Sequence, residues 1–297
     1  MGRTIPALET PVRWLALDSV TFRPSWLANA ESGAARERSL PSPTPRRTQE
    51  TQTVSIVTLS QSDALQPEIF RAVTENSTIL SATAGLIAAK LDTGRTESAI
   101  IDVGGLSADD LPALVTLLRS VSDSIRDHGI GTIAVAIPAA DTIAYPTRPI
   151  ARVAELIVVQ LQEEHRVGTP AGPVFTIDVA RRHLAMRAAD TGPGRLVAGI
   201  PAYGYLWSRS GIARRISYSE AASLAANAAV TLARDPASLA LHARSERDGW
   251  EIWLPDHRMI AALITQARGL GIYRFAVYGA RGADPAIIDA FRSPVRR

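Results

Sequence analysis

The sequence predicts an α/β protein of the TIM-type (β/α)8 barrel class, and three observations carry that expectation. The chain is 297 residues long, which suits one large α/β barrel or two domains of ordinary size. From about Gln52 onward, short apolar runs alternate with longer stretches of helical period, the pattern of repeated β-α units around a parallel sheet. The runs are near-continuous and rich in β-branched residues, as strands buried on both faces are.

Strands are expected at 54–59, 99–103, 132–137, 156–159, 196–200 and 273–278, with 12–17 as a seventh. Seven is one short of a closed barrel, so the first strand is expected to be lacking or degenerate, leaving an open edge to be covered. Between the strands, Ser107 stands as a helix cap, with Asp109 and Asp110 in the first turn and Pro112 close behind. Leu111, Leu114, Val115, Leu118, Val121 and Ile125 then form one apolar stripe that Gly129 ends. A similar helix is expected over 259–268, stopped by Gly269 and Gly271. Residues 39–52, rich in Pro, Ser, Thr and Arg, read as a solvated linker or loop. A small α+β insertion is expected over about 208–256, with a helix near 219–230 and a hairpin pairing 240–243 with 250–253 across Arg247, Asp248 and Gly249. Trp250 and Trp253 would face opposite sides of that hairpin. The domain expectation is therefore an N-terminal segment, 1–53, holding one barrel strand and the linker, followed by the barrel over 54–297.

Composition narrows the function classes. With 46% apolar and 21% charged residues, the chain is globular in character. No stretch is long and apolar enough to span a membrane. The N-terminus has no basic start leading into an apolar run, so the expected compartment is the cytoplasm, or the exterior if the true N-terminus lies upstream. The net charge of +3 is interleaved along the chain rather than clustered, and no nucleic-acid partner is expected. The absence of cysteine excludes disulfides and thiolate chemistry. His128, His165, His183, His242 and His257 show no zinc-type spacing, so neither metal nor cofactor is expected.

Catalytic groups in such barrels sit just beyond the C-terminal ends of the strands. Five strand ends form an ordered series: Ile101-Asp102-Val103-Gly104-Gly105-Leu106, Gln160-Leu161-Gln162-Glu163-Glu164-His165, Gly199 through Trp207, Trp253-Leu254-Pro255-Asp256, and Ala276-Val277-Tyr278. Their order and spacing resemble glycoside hydrolase family 18 over roughly 54–291. The most specific piece is Pro201-Ala202-Tyr203-Gly204-Tyr205-Leu206-Trp207 with the insertion behind it, similar to bacterial members fused to polysaccharide deacetylase or glycosyltransferase domains.

The resemblance implies hydrolysis of chitin- or peptidoglycan-like N-acetylhexosamine polymers, with one glutamic acid as proton donor and the substrate's acetamido oxygen as nucleophile. This chain departs from the pattern on three strands. The motif Asp-Gly-x-Asp-x-Asp-x-Glu falls on 97–104, where only its last aspartate, Asp102, is kept and Gly104 stands at the acid's position. The motif Met-x-Tyr-Asp falls on Gln160, Leu161, Gln162 and Glu163, and the floor tryptophan of the last strand is Tyr278. The resemblance thus implies a non-catalytic glycan-binding protein or interaction module. Its sugar-binding candidates are Asp102, Gln162, Glu163, Tyr203, Tyr205, Trp207 and Tyr278. The alternative is an active hydrolase whose acid has moved to Glu163 or Asp102. Read without the family, Gly104-Gly105 is a turn, Asp102 a strand-end carboxylate paired with an arginine, and the three aromatics are rim packing. Both readings stand at this point.

Overall fold

The computed structural model describes residues 14–22, 52–61, 64–65, 67–93, 98–102, 104–129, 131–161 and 164–292. The expected linker over 39–52 lies outside them except for its last residue. The chain divides into two compact units, Val12–Ile157 and Val158–Arg297.

The first unit runs β1 (Trp14–Phe22), β2 (Gln52–Gln61), β3 (Ala64–Leu65), α1 (Pro67–Glu75), α2 (Ser77–Thr93), β4 (Ser98–Asp102), a single 3-10 turn (Ala108–Asp110), α3 (Leu111–Asp127), β5 (Thr132–Pro138) and α4 (Thr147–Ile150). β1, β2, β4 and β5 are parallel neighbours in that order. The run Ile133 to Ile137 is buried at every position, which only a strand covered on both faces permits. α3 presents Leu114, Leu118, Val121 and Ile125 to the core as expected, but Leu117 is buried where Val115 is half-exposed. The stripe is rotated slightly from the one drawn from sequence.

The start of α3 is held from both sides. The backbone N–H and hydroxyl of Ser107 both donate to Asp110 Oδ2 at 2.8 Å, and Arg71 of α1 donates Nε and Nη2 to the two carboxylate oxygens at 2.8 and 2.9 Å. The arginine first, and Ser107 after it, hold the Asp110 carboxyl well below the usual carboxylate range. At the other end Gly129, at φ +74, donates its N–H to Arg126 O, ending the helix in a conformation that glycine adopts without strain.

The second unit begins within β6 (Leu156–Gln160) and continues with α5 (Ile177–Thr191), β7 (Leu196–Pro201), β8 (Gly204–Ser208), β9 (Ala213–Ile216), α6 (Tyr218–Asn227), β10 (Ala233–Arg234), β11 (Leu241–Ser245), β12 (Trp250–Leu254), α7 (His257–Gly269), β13 (Arg274–Tyr278) and α8 (Ile287–Arg292). β7, buried throughout, pairs in parallel with β13, from Val197 opposite Arg274 to Pro201 opposite Tyr278. A second, antiparallel sheet has the order β10-β11-β12-β8-β9. The expected hairpin is its β11-β12 arm, with Leu241 opposite Leu254 and Ser245 opposite Trp250. Ile216, Ala221, Leu241, Ile252 and Leu254 form a core in which one face of this sheet meets α6. Trp250 packs on that face, and Trp253 takes the opposite one.

Asp256 and Asp284 both fasten the start of α7. Asp256 caps α7 through Met259 N–H at 3.1 Å and takes two nitrogens of Arg234. Asp284 Oδ2 accepts the backbone N–H of His257 at 2.9 Å and lies 2.7 Å from its Nδ1, while Oδ1 accepts from Ala286 N–H. Burial pulls both carboxyls up, but these donors outweigh it and hold both below the ordinary value. Their contribution is therefore full above the unfolded carboxylate range near pH 4 and is lost as pH falls through and below it. Thermal melts between pH 7 and pH 3 should show a falling midpoint, and Asp284→Asn should flatten that dependence.

Candidate functional site

In the first unit the features expected to carry chemistry lie at the end of β4. Asp102 is its last residue, half-buried, opposite Thr58 on β2 and Ala136 on β5. Beyond it Gly104 supplies no acid, and Gly105 turns the chain at φ +74. Leu106 then donates its N–H to the hydroxyl of Tyr145 at 3.0 Å. Tyr145 is buried, and burial pushes its phenol up to about 12, with Asp141, Asp102 and Asp110 adding to the shift against the Leu106 bond. It is protonated at any physiological pH and pins the loop beyond β4. Sequence reasoning missed it because its partner is a backbone N–H 39 positions away. A Tyr in the segment after β5 was the one available signal.

In the second unit Gln162 and Glu163 fall outside the described residues. Their neighbour Glu164 is described and is fully engaged. Its Oε1 accepts from Thr176 Oγ1 at 3.0 Å and its Oε2 from the Thr176 backbone N–H, so the carboxylate closes the base of the 164–176 loop at the entry to α5. His165 Nδ1 meets Pro170 O at 2.9 Å within the same loop. His183 is lowered by burial, partly countered by Glu164.

Tyr203, Tyr205 and Trp207 are brought together, with Tyr203 and Tyr205 edge-on at 5.9 Å and Tyr205 and Trp207 tilted at 5.7 Å. The cluster is packed rather than open. Tyr203 is 3% and Trp207 4% exposed, the Arg215 guanidinium lies 3.9 Å from the Tyr203 ring centre, and Trp207 Nε1–H donates to Thr169 O at 3.0 Å. Trp207 therefore anchors the 164–176 loop. Trp207→Phe should cost about 1 kcal/mol and speed proteolysis within 164–176, as a limited-digestion time course would report. Tyr278, half-exposed at the end of β13, lies against the backbone of β7, its ring 2.9 Å from where a Cβ on Gly199 would stand.

One cluster among the described residues brings three potential metal-ligand atoms within 4.8 Å of one another: Asp256, His257 and Asp284. Both carboxylates already serve as caps, and Arg234 neutralises Asp256, so its chemistry is that of a latch. Among the described residues no helix is long and apolar enough to cross a membrane.

Comparison with known proteins places this geometry. No family model matches the chain. A curated relative, the sporulation-specific glycosylase candidate YdhD of Bacillus subtilis, is 30% identical over 112 residues, covering 36% of this chain and 27% of that protein. The chain thus spans about a quarter of that relative's length. Among solved structures, the spore cortex-lytic enzyme SleL of Bacillus megaterium superposes with a TM-score of 0.72 at 20% identity, over 81% of this chain and 59% of that one. A chitinase of Chromobacterium violaceum gives 0.75 at 16% identity over 95% and 100%. A family 18 chitinase of Cycas revoluta, solved with (GlcNAc)3, gives 0.68 at 14% identity over 82% and 80%. The chain carries the TIM-type α/β fold of the family 18 chitinases and spore glycosylases, a fold whose similar proteins act on glycans.

Proposed function

We propose that this chain is a non-catalytic protein of family 18-like fold that binds N-acetylhexosamine glycans of the chitin or peptidoglycan kind. The observation that carries the reading is the end of β4. The resemblance puts the acid's position at Gly104, and Tyr145 fastens the loop beyond it at Leu106. A positioned general acid contributes about 10²- to 10⁴-fold in rate, and in the second unit the Glu164 carboxylate is consumed by Thr176.

A second reading, slow hydrolysis with a relocated acid, has one observation in its favour. Asp102 is half-exposed at the same strand end, and its charge is felt at the Tyr145 hydroxyl. The two readings part in one pair of experiments. Calorimetric titration with N-acetylglucosamine and peptidoglycan oligomers should give binding, while a chromogenic N-acetylglucosamine oligomer should stay intact. No heat at millimolar ligand would sink the binding reading. Release of chromophore that disappears in Asp102→Asn or Glu163→Gln would establish the relocated acid instead.

A further inference from the structure

We propose that the face of the five-stranded sheet opposite α6 carries a saccharide platform for an N-acetylhexosamine oligosaccharide, formed by the stacked rings of His242 and Trp253 with Glu251 beside them. The proposal rests on the glycan-binding reading and gives it a location. Side chains alternate along β11 and β12, so Leu241, Ile252 and Leu254 go to the α6 core while His242, Glu251 and Trp253 project the other way. On that second face Tyr205 and Trp207 are buried, whereas His242, Glu251 and Trp253 are half-exposed.

The rings are fixed in place by more than contact. Their centroids are 4.2 Å apart at an interplanar angle of 29°. Trp253 Nε1–H donates to Glu251 Oε1 at 2.7 Å, and His242 Nε2 lies 3.1 Å from the same oxygen, donating to it in the Nε2–H tautomer. A cross-strand pair that served only to hold strands together would need the ring contact alone. Here one carboxylate oxygen orients both rings, and Glu251 Oε2 is left without a protein partner among the described residues. Fixed aromatic planes offer an apolar surface to the C–H face of a pyranose. A free carboxylate oxygen beside them accepts a hydroxyl or acetamido N–H in a charge-assisted bond. Because the rotamers are already locked, little ordering entropy is lost on binding. Arg244 stands opposite Glu251 on the same face, ion-paired with Glu246.

The test is titration of the full chain with N-acetylglucosamine tetramer, followed by tryptophan fluorescence and calorimetry, in the native protein, Trp253→Ala and Glu251→Gln. Trp253→Ala should weaken binding by roughly tenfold and Glu251→Gln severalfold. Should Trp253→Ala fail to fold, Glu251→Gln decides alone, since its amide keeps an oxygen for both ring donors and turns only the free acceptor into a donor. Native affinity in the folded variants overturns the platform and leaves glycan binding elsewhere intact. No binding by the native chain overturns both the platform and the function proposed above.

Discussion

Replacing Asp256 by alanine is expected to destabilise the chain by about 3–5 kcal/mol, because it removes one partner of a buried ion pair and a helix cap together. The Asp256 side chain is 5% exposed. It meets Arg234 through two nitrogens, and its Oδ1 also accepts the Met259 N–H that opens α7. Without it the guanidinium keeps, among the described residues, the hydrogen bond to Leu239 O and the more distant charge of Asp284, and burial then works against the charge. Asp256→Asn, which retains the capping oxygen, should fall between alanine and the native protein. Urea denaturation monitored by circular dichroism measures all three. An alanine variant within about 1 kcal/mol of native would mean that the pair contributes little against its own desolvation.

The second large effect is expected at Gly204. A Cβ there would stand inside van der Waals contact of the Trp253 carbonyl and of Leu254, atoms of the backbone and core that cannot swing aside. Gly204→Ala should therefore cost about 3 kcal/mol, the upper end for overpacking, and should separate β8 from β12 before it affects β7 and β13. Hydrogen exchange would see this as lost protection at 204–208 and 250–254 with 196–201 unchanged. Equal loss across all three segments would show that the second sheet does not open on its own.

Gly204 also illustrates what sequence could and could not convey. The stretch from Pro201 to Trp207 is legible as a family-like signature, but sequence leaves its aromatics open between a sugar cleft and rim packing. The structure makes 204–208 a strand of the second sheet, and the glycine is required by a strand that arrives from 50 positions later. Local patterns were sufficient where burial is continuous along the chain, as at 133–137 and 196–201, because the apolar runs are themselves the signal. The hairpin was legible too, with Gly249 at φ +68 in its turn. Nothing local announced the Glu164 to Thr176 closure, the Trp207 to Thr169 bond or the Tyr145 to Leu106 bond. Each depends on a polar side chain finding a backbone group, and every backbone position offers one.

The closure at Glu164 has a consequence for how the chain can vary. Residues 164 and 176 are joined at their base by the carboxylate, so the segment between them is an Ω-shaped loop whose stem is set independently of its tip. Val167, 60% exposed, and Gly168, at φ +86 with open space around it, form that tip. Each doubling of such a loop costs only about 0.6 kcal/mol in closure entropy. A peptide epitope could be grafted between Val167 and Gly168 while α5 still starts at the same residue, which makes this tip a natural handle for immobilising the protein.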